Sequence, residues 1–128
     1  MATVLALGCA TPDRVIPAPI VIPDDAATTA YSDLYPKVRQ LAWRATEAYY
    51  RDDWKELSET AQAIEKAARI LKGTKDAPAR FPDLAGKCES LAAEAAAVRS
   101  AAVVPNPADI GAHLQRVHNL IRELRPDA

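Results

Sequence analysis

Asn106-Pro107-Ala108-Asp109-Ile110-Gly111-Ala112-His113-Leu114-Gln115-Arg116-Val117-His118-Asn119-Leu120-Ile121-Arg122-Glu123-Leu124-Arg125 is the stretch on which the fold turns. Asn106 is an N-cap residue type, Pro107 takes the first helical position, where a missing N–H costs least, and Asp109 sits near the positive helix end. Ile110, Leu114, Val117, Ile121 and Leu124 then recur four and three residues apart, which places them on one face of a helix. Pro126 ends the run. A helix with one narrow apolar stripe has to bury it against other helices or a sheet.

Three upstream stretches repeat the pattern. In the first, Ser32 or Asp33 is the expected cap, Pro36 falls in the first turn, and the stripe is Leu34, Val38, Leu41, Ala45 and Ala48. The second opens at Asp53-Trp54-Lys55-Glu56, which resembles a capping box, and carries Trp54, Leu57, Ala61, Ile64, Ala68 and Leu71 before Gly73 stops it. Only a residue or two separates these helices, so they must pack antiparallel. Residues 74–80 read as a polar connector. The third stretch starts near Pro82, with Leu84, Cys88, Leu91, Ala95, Val98 and Ala102 on its stripe; Ala92, Ala93, Ala96 and Ala97 favour close helix approach. The predicted fold is all-α, an up-down antiparallel four-helix bundle over residues 32–126.

Composition agrees. A chain of 128 residues is one domain's worth. Aromatics make up only 5% and alanine is abundant, which disfavours a sheet-rich fold. The 16 Lys and Arg are interleaved with 17 acids for a net charge of -1, so nucleic acid is not expected as a partner. No run is long enough to span a bilayer.

The N-terminus has a different character. Residues 1–9, Met-Ala-Thr-Val-Leu-Ala-Leu-Gly-Cys, resemble the tail of a bacterial lipoprotein signal, in which a small residue precedes the lipid-bearing cysteine. Ala6 and Leu7 depart from the preferred lipobox order, and the run is short and lacks a positively charged start. A start further upstream, or a signal cut back, would account for this. Cys9 is thus a candidate lipid attachment and membrane tether, implying the bacterial periplasm or envelope; the alternative is an incidental cysteine on a frayed terminus and a cytoplasmic protein. Residues 10–31, with Pro12, Pro17, Pro19 and Pro23, form an extended linker, either a spacer or an arm laying Val15-Ile16 and Ile20-Val21-Ile22 along the body.

Catalytic and metal chemistry find little support. No Glu-x-x-His pair exists for a di-iron site. Glu47, Glu59, Glu65, Glu89, Glu94 and Glu123 lie off the stripes and read as solvated. His113 and His118, five apart, diverge by about 140° around a helix and cannot share one metal. Cys88 reads as a small buried hydrophobe. No enzyme, no metal and no cofactor are expected. Trp43 and Tyr50, seven apart and off the main stripe, could form an exposed patch for a protein partner or a homodimer, or pack laterally on the second helix or the arm.

The frame Leu114-x-x-Val117-His118-x-x-Ile121-Arg122 resembles the Cys-x-x-Cys-His segment of cytochromes c-prime, four-helix bundles that hold haem on their last helix, with both cysteines replaced by apolar residues. Trp54 heading the second helix, the long loop before the third and Pro107 opening the fourth agree loosely. The resemblance implies a haem-less bundle of the bacterial envelope, unable to attach haem through thioethers. Its alternative is a haem held without covalent attachment by His118, with Arg122 beside it, for electron transfer or gas sensing.

Overall fold

The computed structural model describes residues 19–78, 81 and 83–126. Cys9, Val15, Ile16 and Pro82 lie outside the described residues. Four helices follow a short 3-10 turn at Ala26–Thr28: α1 (Tyr31–Tyr50), α2 (Trp54–Leu71), α3 (Leu84–Ala101) and α4 (Pro107–Glu123). Each packs on the next and α1 closes back on α4, giving an up-down four-helix bundle with no strand among the described residues. The stripe positions are buried, with Leu57, Leu71, Leu91, Ile110 and Val117 at 0% exposure; Leu84 and Trp54, at the helix starts, are partly covered.

Local chemistry fixes the helix ends. Asp53, Asp83 and Asn106 cap α2, α3 and α4, accepting from the N–H groups of Glu56, Gly86 and Asp109. Only half of the capping box at Asp53 forms. The Asp53 N–H already donates to Ala48 O at 2.9 Å, closing the end of α1, so the Glu56 carboxylate turns to Arg51 at 3.2 Å instead. Asp52 completes the tight link with φ 56, a left-handed conformation that aspartate tolerates better than most residues.

The start of α1 differs from the sequence expectation. The helix begins at Tyr31 with Ala30 at the cap position, so neither Ser32 nor Asp33 caps it. Asp76, in the α2–α3 connector, accepts from the Tyr31 N–H in their place. Pro36 is therefore the sixth helical residue, beyond the first turn, and it offers no N–H to the Ser32 carbonyl. Both residues are exposed, which lets water reach that gap. Gly73 is not in a left-handed conformation either. A Cβ there would come within 3.2 Å of Ala26 Cβ, so glycine permits the close approach of the N-terminal turn.

That turn ends an arm lying in the groove between α1 and α2. Ile20 and Ile22 pack against the core, Lys37 Nζ donates to Val21 O at 3.1 Å, and Lys66 pairs with Asp24 at 2.6 Å. Pro19 borders a hollow shared with Leu41, Arg44 and Thr60.

Buried alanines set the spacing within the bundle: Ala45, Ala48, Ala61, Ala67, Ala68 and Ala95 all lie at 1% exposure or less. The α2–α3 seam is the most extensive and the α1–α4 seam the sparsest. Hydroxyl groups bridge the latter. Tyr31 OH donates to Leu124 O, Tyr35 OH to Ile121 O at 2.8 Å, and Tyr49 OH to Pro107 O at 3.0 Å. The first two serve carbonyls at the end of α4, where backbone donors run out; Ile121 O also accepts from the Leu124 N–H at 3.1 Å.

Two substitutions on α3 separate packing from propensity. Ala95→Leu forces a branched side chain into a filled core and should cost about 1–3 kcal/mol, lowering the urea midpoint. Ala93→Leu, on the exposed face, should stay within about 0.5 kcal/mol of the parent.

Candidate functional site

The α1–α4 seam gathers three of the residues singled out in the sequence into one groove. His118 lies one position past the buried Val117 and is half-buried. Its Nε2 is 2.7 Å from Thr46 Oγ1. The Thr46 hydroxyl donates its one hydrogen to Ala42 O at 3.0 Å, so its oxygen must accept from His118 Nε2–H. This network assigns the tautomer and leaves Nδ1 as the bare nitrogen. Trp43 leans on the imidazole, with ring centroids 5.4 Å apart and planes at 59°. Burial lowers the His118 pKa and the Arg122 charge lowers it further, so the ring is neutral at pH 7.

The groove encloses about 280 Å³ and is lined by Tyr35, Arg39, Trp43, His118, Arg122 and Arg125, with Ile121 at its floor. Arg122 Nη1 donates to Asn119 Oδ1 at 3.4 Å. Neither Arg39 nor Arg122 forms an ion pair with a described residue. A second hollow of about 190 Å³ continues the seam past His118 between Thr46, Tyr49, Tyr50, Gly111 and Gln115. A Cβ on Gly111 would meet Tyr49 Oη at 3.0 Å, so this glycine gives Tyr49 its path to Pro107 O. Trp43 is 62% exposed and Tyr50 77% exposed. Tyr50 rests edge-on against Tyr49, centroids 5.3 Å apart, rather than on α2.

Other clusters are balanced internally. His113 points to another face, with Nδ1 2.6 Å from Glu94 Oε1 and Arg116 3.7 Å from the same oxygen. Two of the six glutamates read as solvated are not. Glu94 is partly buried, and Glu65 is buried between Arg69 at 2.8 Å and Arg99 at 2.5 Å. Burial alone would raise the Glu65 carboxyl, but the two arginines outweigh it and hold it below the ordinary carboxylate range. The Glu65 to Arg69 spacing of four was the available hint; Arg99, from α3, had none. Cys88 is fully buried, and that burial pushes its thiol up to about 11, leaving it protonated and inert at neutral pH. Among the described residues no group of His, Cys, Asp and Glu side chains could hold a metal.

Leu114 and Val117 fill the core beside His118, at 5% and 0% exposure, and the imidazole nitrogen facing Thr46 carries a hydrogen already donated. No protein-family model matches the chain, and no curated protein or solved structure matches it.

The lowered His118 pKa gives a signed pH dependence. Between the ordinary histidine value, about 6.5, and the lower folded value, the unfolded chain binds more protons than the folded one. Stability should therefore fall as pH drops below about 6.5 and level off beneath the folded pKa. The Arg122 charge opposes protonation in the same sense. Denaturant titrations at a series of pH values should show this slope in the parent and lose it in His118→Gln.

Proposed function

We propose that the chain is a non-enzymatic binding module, a haem-less bundle resembling cytochromes c-prime, that works in the bacterial envelope and engages a protein partner or a second copy through the face formed by α1 and α4. The observation that carries this reading is the pairing of large exposed aromatics, Trp43 and Tyr50, with two hollows along the sparsest seam of the bundle. Exposed aromatics around a groove are typical of recognition surfaces. Hydrocarbon at Leu114 and Val117, where the resembling family carries its attachment cysteines, supports the haem-less part. The envelope part rests on Gly8-Cys9 and the Pro-rich stretch that follows.

Titration of the purified protein with haem, read as Soret absorbance, tests the module against its alternative, a non-covalent haem protein using His118. The expected result is no saturable band that depends on His118. A band saturating at one haem per chain and lost in His118→Ala would replace the binding-module reading with electron transfer or gas sensing. Expression in a bacterium fed a clickable palmitate should label the chain through Cys9, with the label absent from Cys9→Ser. An unlabelled parent would remove the lipid tether.

A further inference from the structure

The α1–α4 face is not only aromatic but unequally charged. Arg39, Arg122 and Arg125 border the larger hollow, and among the described residues no acidic side chain lines either hollow. The other hollows are mixed in charge. Beside the arm, Arg44 and Lys55 share a hollow with Asp53, Glu56 and Glu59, and on α2 and α3 Arg69 and Arg99 share Glu65 as their acidic partner in a hollow that Asp24 also lines. In a chain of net charge -1, the arginine groove is a local excess of positive charge. Guanidinium groups present paired N–H donors that match a carboxylate.

The shape narrows the ligand further. The two hollows share His118 and run along α4 from position 125 to position 111, a line of about 20 Å at 1.5 Å per residue. That length matches about six residues of extended chain and exceeds the span of a small anion. One end is basic and the other is aromatic, with Tyr49 and Tyr50. Between them stands a neutral, half-buried imidazole that adds no charge of its own. A duplex nucleic acid would need a longer basic stripe than this face offers, and the chain's other acids would repel it.

We propose that this face recognises an acidic peptide segment of a partner protein, its carboxylates held at Arg39 and Arg122 and an apolar or aromatic side chain seated beside Tyr49 and Tyr50. The proposal rests on the binding-module reading and names its ligand class. Specificity would come from the arginines and most of the buried area from the aromatic end.

The test uses the full chain carrying Trp54→Phe, so that Trp43 is the sole tryptophan reporter. The probe is a synthetic peptide with a glutamate cluster and a phenylalanine about four residues away, prepared in both sequence orders. The expected result is a saturable change in Trp43 emission for one order that weakens as salt is raised. Binding should weaken at least about tenfold in Arg39→Gln with Arg122→Gln, a variant whose helical circular dichroism matches the parent, and also when the glutamates of the peptide become glutamines. Equal binding of the glutamine peptide, lost in Tyr50→Ala, would overturn the acidic ligand while keeping the face as a binding surface. No response to either order would overturn the proposal, and together with a His118-dependent Soret band it would overturn the module reading as well. A response to single-stranded DNA but to neither peptide would also overturn it.

Discussion

Closure of α1 onto α4 by tyrosine hydroxyls is the interaction on which the remaining geometry depends. Towards its end α4 runs short of backbone donors, and in a desolvated place an unmet carbonyl costs about 1–3 kcal/mol. Tyr31 supplies a donor to Leu124 O, and Tyr35 gives Ile121 O a second donor beside the Leu124 N–H. Their rings also fill the space left where alanine-to-alanine approach is absent: Tyr31 stacks on Tyr35 at 6.2 Å and meets Phe81 at 6.1 Å. At the opposite end, Tyr49 bonds to Pro107 O. With both ends pinned, the register between the two helices is fixed, and Thr46 meets His118 in the middle.

The same closure explains why this seam carries the groove. Helices held apart by phenol rings leave room between them for a groove. The α2–α3 seam is dense with Ala61, Ala68 and Ala95 inside, and its hollow lies at the charged rim between Glu65, Arg69 and Arg99. Electrostatics follow the division. Where helices approach closely, a buried charge such as Glu65 had to be matched by two arginines, because an unpaired buried carboxylate is strongly unfavourable. Along the open seam Arg39 and Arg122 form no ion pair with a described residue, and Arg122 is met by the Asn119 side-chain oxygen.

The stripes and two of the caps were legible in the sequence because both are local. Ile110, Leu114, Val117 and Ile121 announce a buried face through spacing alone, and Asp53 and Asn106 cap groups three residues away. For Trp43 and Tyr50, off the α1 stripe, spacing left an exposed patch and lateral packing both open, and both side chains are exposed. What escaped was set by residues distant in sequence. The start of α1 is decided by Asp76, 45 residues on, and the burial of Glu65 by Arg99, 34 residues on. His118 could be named from its frame, but its tautomer belongs to Thr46, 72 residues earlier. Gly73 looked like a helix stop and is instead the floor under Ala26, a contact invisible to any local pattern.

The course of the arm gives the bundle a pole. From Ala26, beside Gly73, the chain runs back along α2 by way of Asp24 at Lys66 to Pro19 near Thr60, roughly 20 Å in all. It therefore reaches the body near the end where Asp52 turns α1 into α2, although α1 itself begins at the other end. Anything that moors this protein by residues ahead of Pro19 holds it by the Asp52 end. The arginine end, where α1 starts and α4 finishes, then points outward like the free tip of a pennant.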